Sequence, residues 1–386
     1  MKRHLLQIIS LWIAASLACT WSGQAGPTAA PTAAPAETAV SAPPATSAPP
    51  AKPPAASPCG NGICEGPENP KNCPADCPPP TAPSSAPSMP APSPAAAQQD
   101  AVLYMGIMVH LEGWNDGEEQ ERFERHAEKM RAYASLFERY GAKLTWESKE
   151  VTEGIIRWGD NVLLEMEQRG HGVGVHADVG GQASYNCKNF AADLRAKKEQ
   201  LESLGVTVRH VSGIVSHCDW VTAAAEAGYL FTTGQVAYAV MSMPPDQRPP
   251  EYRNCPSPSA CHDIFPPELA DRLHPWRMNS GSDWLNDAPN GRLVMLPASG
   301  GLAYMGQNEE FTQADVDAAI AELEQAIALA QPGRVNTYYL GWSLGKALDE
   351  NLLENWLERI QRYVAEGSVQ WKTLPEMYDA YIASGG

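Results

Sequence analysis

The chain of 386 residues lacks an apolar run long enough to cross a bilayer as a helix. Such a helix needs about 20 apolar residues, and the N-terminal run at 5–18 (LLQIISLWIAASLA) has 14. Basic residues are scarce. Lys and Arg number 28 against 45 Asp and Glu, a formal charge of −17. That deficit excludes the electrostatic footprint of a nucleic-acid binder and repels anionic membranes. Residues 26–58 contain no Leu, Ile, Met or aromatic residue but ten prolines, and 78–98 are nearly as bare, with eight. Neither stretch can build a packed core. Both are expected as extended spacers rising about 3.1 Å per residue, so the first alone reaches on the order of 100 Å.

What remains is sharply divided. Of the 34 prolines, 21 lie in the first 100 residues. Residues 101–386 carry 24 Lys and Arg and 40 Asp and Glu, so they hold nearly all the net charge and read as one globular domain large enough for a substantial core. Lys2 and Arg3 before the short apolar run make 1–25 an export signal. Two outcomes stay open. Cys19 after Ser16-Leu17-Ala18 suits a lipidated cysteine, the one expected route to a membrane, whereas cleavage there or after Gly23-Gln24-Ala25 suits plain secretion.

Cysteine usage agrees with export. Cys59, Cys64, Cys73 and Cys77 fall within residues 59–77 and imply two disulfides in an oxidising compartment. Asn61, Glu65, Glu68, Asn69, Asn72 and Asp76 offer oxygen ligands there, so this module reads either as a bare disulfide knot or as a calcium holder. Counting leaves Cys255 to pair with Cys261 and Cys187 with Cys218. The expected order is therefore signal 1–25, linker 26–58, cysteine module 59–77, linker 78–100 and domain 101–386.

Within that domain, strand and helix signals alternate. Strands are expected at 102–109, 142–148, 172–176, 207–215, 229–234, 292–299, 334–342 and 369–374. Helices are expected at 118–140, 161–170, 188–205, 219–228, 312–330, 349–367 and from Pro375, with an irregular, lid-like stretch at 241–290. About seven βα repeats argue for a parallel sheet with helical crossovers, open or closed into a barrel.

One stretch carries the chemistry: GHGVGVHADVGG, 170–181. Side chains alternate along a strand, so His171 and His176 should point to opposite faces, with His171 behind the sheet. His176 and Asp178 can share a face. The same His-x-acid spacing recurs at His110/Glu112 and His217/Asp219, again at strand ends, where parallel α/β folds gather their sites. His126/Glu128 repeats it inside a helix and reads as surface. Imidazole with carboxylate suits zinc or a similar divalent ion. Glu147, at the end of the second strand, is a further acid, and Asp219 is otherwise a helix cap. Trp114, Trp220, Trp284 and Trp342, near strand ends or in loops, could stack on sugar rings.

Three segments together resemble the NodB-type polysaccharide deacetylases. They are LLEMEQRGHGVGVHAD, VSGIVSHCDWVTAAAEAGYLFTTG and EGSVQWKTLPEMYDAY. The resemblance spans 101–386 and implies a deformed (β/α)7 barrel and a divalent metal, acting in removal of N- or O-acetyl groups from a carbohydrate. It implies Glu112 and His176 as metal ligands, with the rest left to His110, Asp178 or His217, His110 taken first, and Asp178 or Glu147 as general base and His217 as general acid. Several family positions depart. The Thr-Phe-Asp-Asp-Gly motif falls on residues 109–113, replacing the base aspartate by Leu111 and the metal aspartate by Glu112. The second metal histidine falls on Gly180, Arg-x-Pro has no match at 212–214, and the late histidine is replaced near 340–342. These losses keep a second expectation open, a non-catalytic carbohydrate-binding or cell-surface protein on the same barrel.

Overall fold

The computed structural model describes residues 101–112, 115–301, 311–344 and 349–386. The export signal, both linkers and the four-cysteine module lie outside them. Elements run β1 (Leu103–Leu111), α1 (Gln120–Arg139), β2 (Leu144–Ser148), α2 (Glu150–Trp158), α3 (Val162–Gln168), β3 (Gly172–His176), α4 (Phe190–Glu202), β4 (His210–Ser212), α5 (Trp220–Glu226) and β5 (Phe231–Thr233). There follow β6 (Trp276–Met278), β7 (Leu293–Leu296), β8 (Gly300–Gly301), α6 (Gln313–Leu329), β9 (Asn336–Ser343), α7 (Glu350–Glu366), β10 (Val369–Trp371) and α8 (Leu374–Ala383).

The strands lie in the order β6-β7-β5-β4-β3-β2-β1-β9-β8, with β10 beside the start of β1. Every pairing is parallel except β6 with β7. The two ends of this order are one run of chain. β7 pairs with β5, and three residues after it β8 pairs with β9. Between them Ser299 N–H donates to Tyr339 O at 3.1 Å, and the Tyr339 hydroxyl donates to Leu296 O at 2.8 Å. The sheet therefore closes, and β1, β2, β3, β4, β5, β7 and β9 form a seven-stranded parallel barrel, the closed form that the resemblance implies and the strand pattern left open.

Alternation along each strand separates two apolar cores. Leu103, Met105, Ile107 and Val109 of β1 face outward beneath the helices. Met108 faces inward with Phe231, Val294, Leu296 and Tyr339, and Leu374 and Met377 of α8 complete that inner cluster. The α8 N-terminus closes the base of the barrel. A capping box between Thr373 and Glu376 starts it, and Leu374 N–H donates to Thr145 Oγ1 at 2.9 Å. Pro375 sits so close that a Cβ on Gly172 would lie 2.9 Å from its ring.

Two disulfides, Cys187–Cys218 and Cys255–Cys261, match the pairing expected from counting. The strand expected at 207–215 shrinks to β4, because Gly213 at φ +64 turns the chain away. The helix α2 has no counterpart in the sequence reading. Its buried residues include the β-branched Val151, Thr152 and Ile155 around Gly154, residues of low helix propensity. Gly154 is there for closeness: a Cβ would come within 2.5 Å of the Phe123 ring of α1. Among the described residues no helix is long and apolar enough to cross a membrane.

Candidate metal centre

The stretch at 170–181 resolves as alternation requires. His171 lies behind the sheet, where its Nδ1 accepts from Leu144 N–H at 2.9 Å and its Nε2 lies 3.1 Å from Glu138 Oε1. Burial outweighs the help of Glu138 and lowers its pKa to about 4. Gly172, Gly174 and His176 face inward. Gly174 leaves space for His210, whose ring would lie 2.2 Å from a Cβ there.

Pairing then aligns the polar residues in the mouth of the barrel. His110 stands level with Glu147 on β2, and His176 level with Ser212 on β4. Glu112 follows His110 by one inward step. The outcome is a ring of five side chains. His176 Nε2 lies 2.8 Å from Glu112 Oε2, and His176 Nδ1 lies 2.8 Å from Ser212 Oγ. Ser212 donates to Glu147 Oε2. His110 Nε2 lies 2.9 Å from that same oxygen, and His110 Nδ1 3.6 Å from Glu112 Oε1. The two imidazoles are 4.2 Å apart, centre to centre.

Glu147 is completely buried. It accepts from Thr233 Oγ1 at 2.6 Å as well as from Ser212, and the His210 ring approaches its Oε1 to 3.3 Å. The two imidazole contacts lie off the line of a well-formed hydrogen bond. Burial pushes the Glu147 carboxyl up, but His110 and His210 outweigh it and hold the group well below the usual range. Burial likewise opposes the charge on His110, yet Glu112 and Glu147 raise its pKa to about 9. For Glu112, burial is again outweighed, by His110 and His176, and its pKa is lowered.

Ionised Glu147 accepts and never donates. Ser212 spends its one proton on Glu147, so it accepts from His176 Nδ1–H. His176 Nε2 then faces, at 2.8 Å, an oxygen of Glu112 that is an acceptor. A proton or a cation must lie between them. His110, with Nε2 toward Glu147, turns Nδ1 to the same carboxylate. The ligand atoms of His110, Glu112 and His176 all lie within 4.8 Å of one another. Two imidazoles and one carboxylate, each imidazole tied through its far nitrogen to an oxygen, is a donor set that fits zinc.

Other expected site residues are placed differently. Asp178, at φ 49, faces the cavity and pairs with Lys149 Nζ at 2.8 Å. Glu147 is engaged from every side and has no free edge toward a substrate. His217 lies off the cavity, with Nε2 3.6 Å from each sulfur of Cys187 and Cys218. Those three residues also converge, but the sulfurs are joined and offer no thiolate. Asp219 caps α5 through Thr222 N–H at 3.0 Å. His126, expected at the surface, is buried and lies 2.6 Å from Asp116. Trp220, Trp284 and Trp342 are fully buried and present no ring face to a sugar. Trp220 and Trp284 pack on each other, and Trp342 packs outward on Tyr133. Trp114 lies outside the described residues. Leu111, at the family's base position, points into the outer core.

Above the ring opens a cavity of about 1010 Å³. His110, Glu112, His176 and Asp178 line it, with Tyr185 and His262 among its walls. His262 follows directly on Cys261, so the Cys255–Cys261 disulfide fixes the loop that carries it. The sequence reading missed His262, Ser212, Thr233 and His210. The spacing His210-x-Ser212 held a signal, because both residues fall on one face of a strand.

No protein-family model and no curated protein matches the chain. Solved structures do. A Mycobacterium smegmatis protein assigned as a polysaccharide deacetylase is 14% identical, with a TM-score of 0.45, over 77% of this chain and 95% of its own. A Pseudomonas aeruginosa PAO1 protein with the same assignment is 12% identical, with a TM-score of 0.49, over 74% and 92%. Puue allantoinase matches at 12% identity and a TM-score of 0.49 over the same shares. Solved polysaccharide deacetylases are thus among the structures this chain is similar to, at a distance that assigns no residue a role.

Proposed function

We propose that the chain is an exported, metal-dependent hydrolase that removes acetyl groups from a carbohydrate. One observation carries the reading: ligand atoms of His110, Glu112 and His176 converge within 4.8 Å of one another at the floor of a large cavity. His110 Nδ1, Glu112 and His176 Nε2 would hold the ion, and zinc suits them. When bound, a divalent ion supplies Lewis acidity toward an acetyl carbonyl and acidifies water. Asp178, the cavity carboxylate on a strained left-handed backbone, serves as general base. His262 takes the general-acid part expected of His217. Tyr185, braced by a 2.6 Å hydrogen bond from its hydroxyl to Asp193, offers the aromatic wall for a sugar ring. Secretion or a lipid anchor at Cys19, and calcium in the cysteine module, belong to this proposal as accompanying expectations.

The test is elemental analysis of the full chain beside His176→Ala, with acetate release from acetylated oligosaccharides. The cysteine module is common to both proteins, so their difference reads the barrel site alone. About one equivalent of transition metal, lost in the variant together with acetate release, is the expected result. Equal metal in both after zinc is supplied overturns the metal mechanism and favours a carbohydrate-binding barrel.

A further inference from the structure

We infer that Glu147 is the positioning residue for both imidazoles of the centre, directing His110 by direct contact and His176 through Ser212. The inference rests on the proposed metal reading. It adds that one buried carboxylate, itself no ligand, decides which nitrogen each histidine presents.

Glu147 reaches His110 and Ser212 through the same oxygen, Oε2. Its other oxygen is taken by Thr233 and faces His210. All four neighbours can give a proton, and a carboxylate can only receive them. With an ion bound each ring keeps one proton, and these contacts favour Nε2 of His110 and, through the single hydroxyl proton of Ser212, Nδ1 of His176 as the place for it. The nitrogens left for the ion are then Nδ1 of His110 and Nε2 of His176, and both face Glu112. The two histidines bind through unlike nitrogens because they approach Glu147 from opposite ends of the ring. Glu112 also touches both, but on the nitrogens turned toward the ion. Glu147 can hold this place because it is rigid: it sits level with His110 in the β1–β2 pairing, and His210 is held against it by stacking on Phe231 at 4.7 Å.

Three full-length proteins decide the matter: wild type, Glu147→Gln and Ser212→Ala. Zinc affinity is measured by chelator competition, and tautomers by nitrogen NMR of histidine-labelled, zinc-loaded protein. The wild type is expected to show His110 protonated on Nε2 and His176 on Nδ1. Glu147→Gln should weaken zinc about 10–100-fold. Ser212→Ala should weaken it less and disturb the His176 signals while leaving those of His110 in place. Wild type that takes up no zinc overturns the metal reading and this inference with it. Wild type that binds zinc while Glu147→Gln binds it equally, or with both histidines protonated on the same type of nitrogen, overturns the inference alone. The nitrogen signals of the wild type report on it even if a variant folds poorly.

Discussion

Replacing Gly174 by Ala adds one methyl group inside the barrel and nothing outside it. That methyl would lie 2.2 Å from Cε1 and Nε2 of His210. His210 has no room to retreat: it is fully buried, stacked on Phe231 on one side and turned toward Glu147 on the other. Overpacking of this kind costs about 1–3 kcal/mol. In a domain of this size each kcal/mol lowers Tm by about 2–4 °C. The assay is urea unfolding of wild type, Gly174→Ala, His210→Ala and the double variant, with the slope m required to stay constant. If the clash with the imidazole is the cause, most of the Gly174→Ala cost vanishes in the His210→Ala background. The coupling should then be about 1 kcal/mol or more, within the range for touching residues. A cost below about 0.5 kcal/mol, or one that persists undiminished without the imidazole, would refute the close approach and with it the reason for a glycine at that position.

Other outcomes follow from particular contacts. The folded pKa of His171, about 4, lies below the ordinary 6.5, so its neutral form is the one the fold favours. Its contribution is intact above pH 6.5 and is lost as pH falls toward 4, at most about 3 kcal/mol. Glu138, Lys143 and Arg169 face it. His171→Gln should flatten the stability profile between pH 6.5 and 4 relative to its value at pH 7, and an unchanged slope counts against the assignment. Asp178→Asn and His262→Ala should each cut acetate release at least 100-fold while metal content stays put, whereas His217→Ala should change it little. A reversed ranking would return the acid role to His217. Loop-closure entropy predicts about 3.7 kcal/mol lost when the 31-residue Cys187–Cys218 link is removed and about 2.2 for the 6-residue Cys255–Cys261 link. Serine variants compared by urea unfolding check the order of the two.

Much of the barrel was legible because its strands are short apolar runs set between amphipathic helices and glycine stops. The ligand candidates were legible too, since His110-x-Glu112 and the inward parity of His176 are matters of spacing. What could not be read was company. Glu147 looks like any strand-end acid until Ser212, Thr233 and His210, up to 86 residues away, are found around it. His126 has the flanks of a surface residue, and its burial depends on Asp116 folding back across ten positions. The tryptophans lay near loops in sequence, yet nothing local told which side of the sheet each ring would take. The helix α2 was hidden by Gly154, a residue chosen for Phe123 and not for its own helix.

The sealed base of the barrel imposes an order on traffic. Leu374 and Met377 of α8, with Phe231 and Tyr378 stacked at 4.9 Å, close the end opposite the cavity. Among the described residues that end offers no rear exit, so if the proposed reaction runs, a cleaved fragment would depart by the path along which the parent molecule arrived. A bulky chain resting across the opening would then hold a small product inside until the chain itself slid or let go. Egress, and not the bond-breaking event, would set the pace on long polymers, and short fragments would be turned over faster than the polymer that contains them.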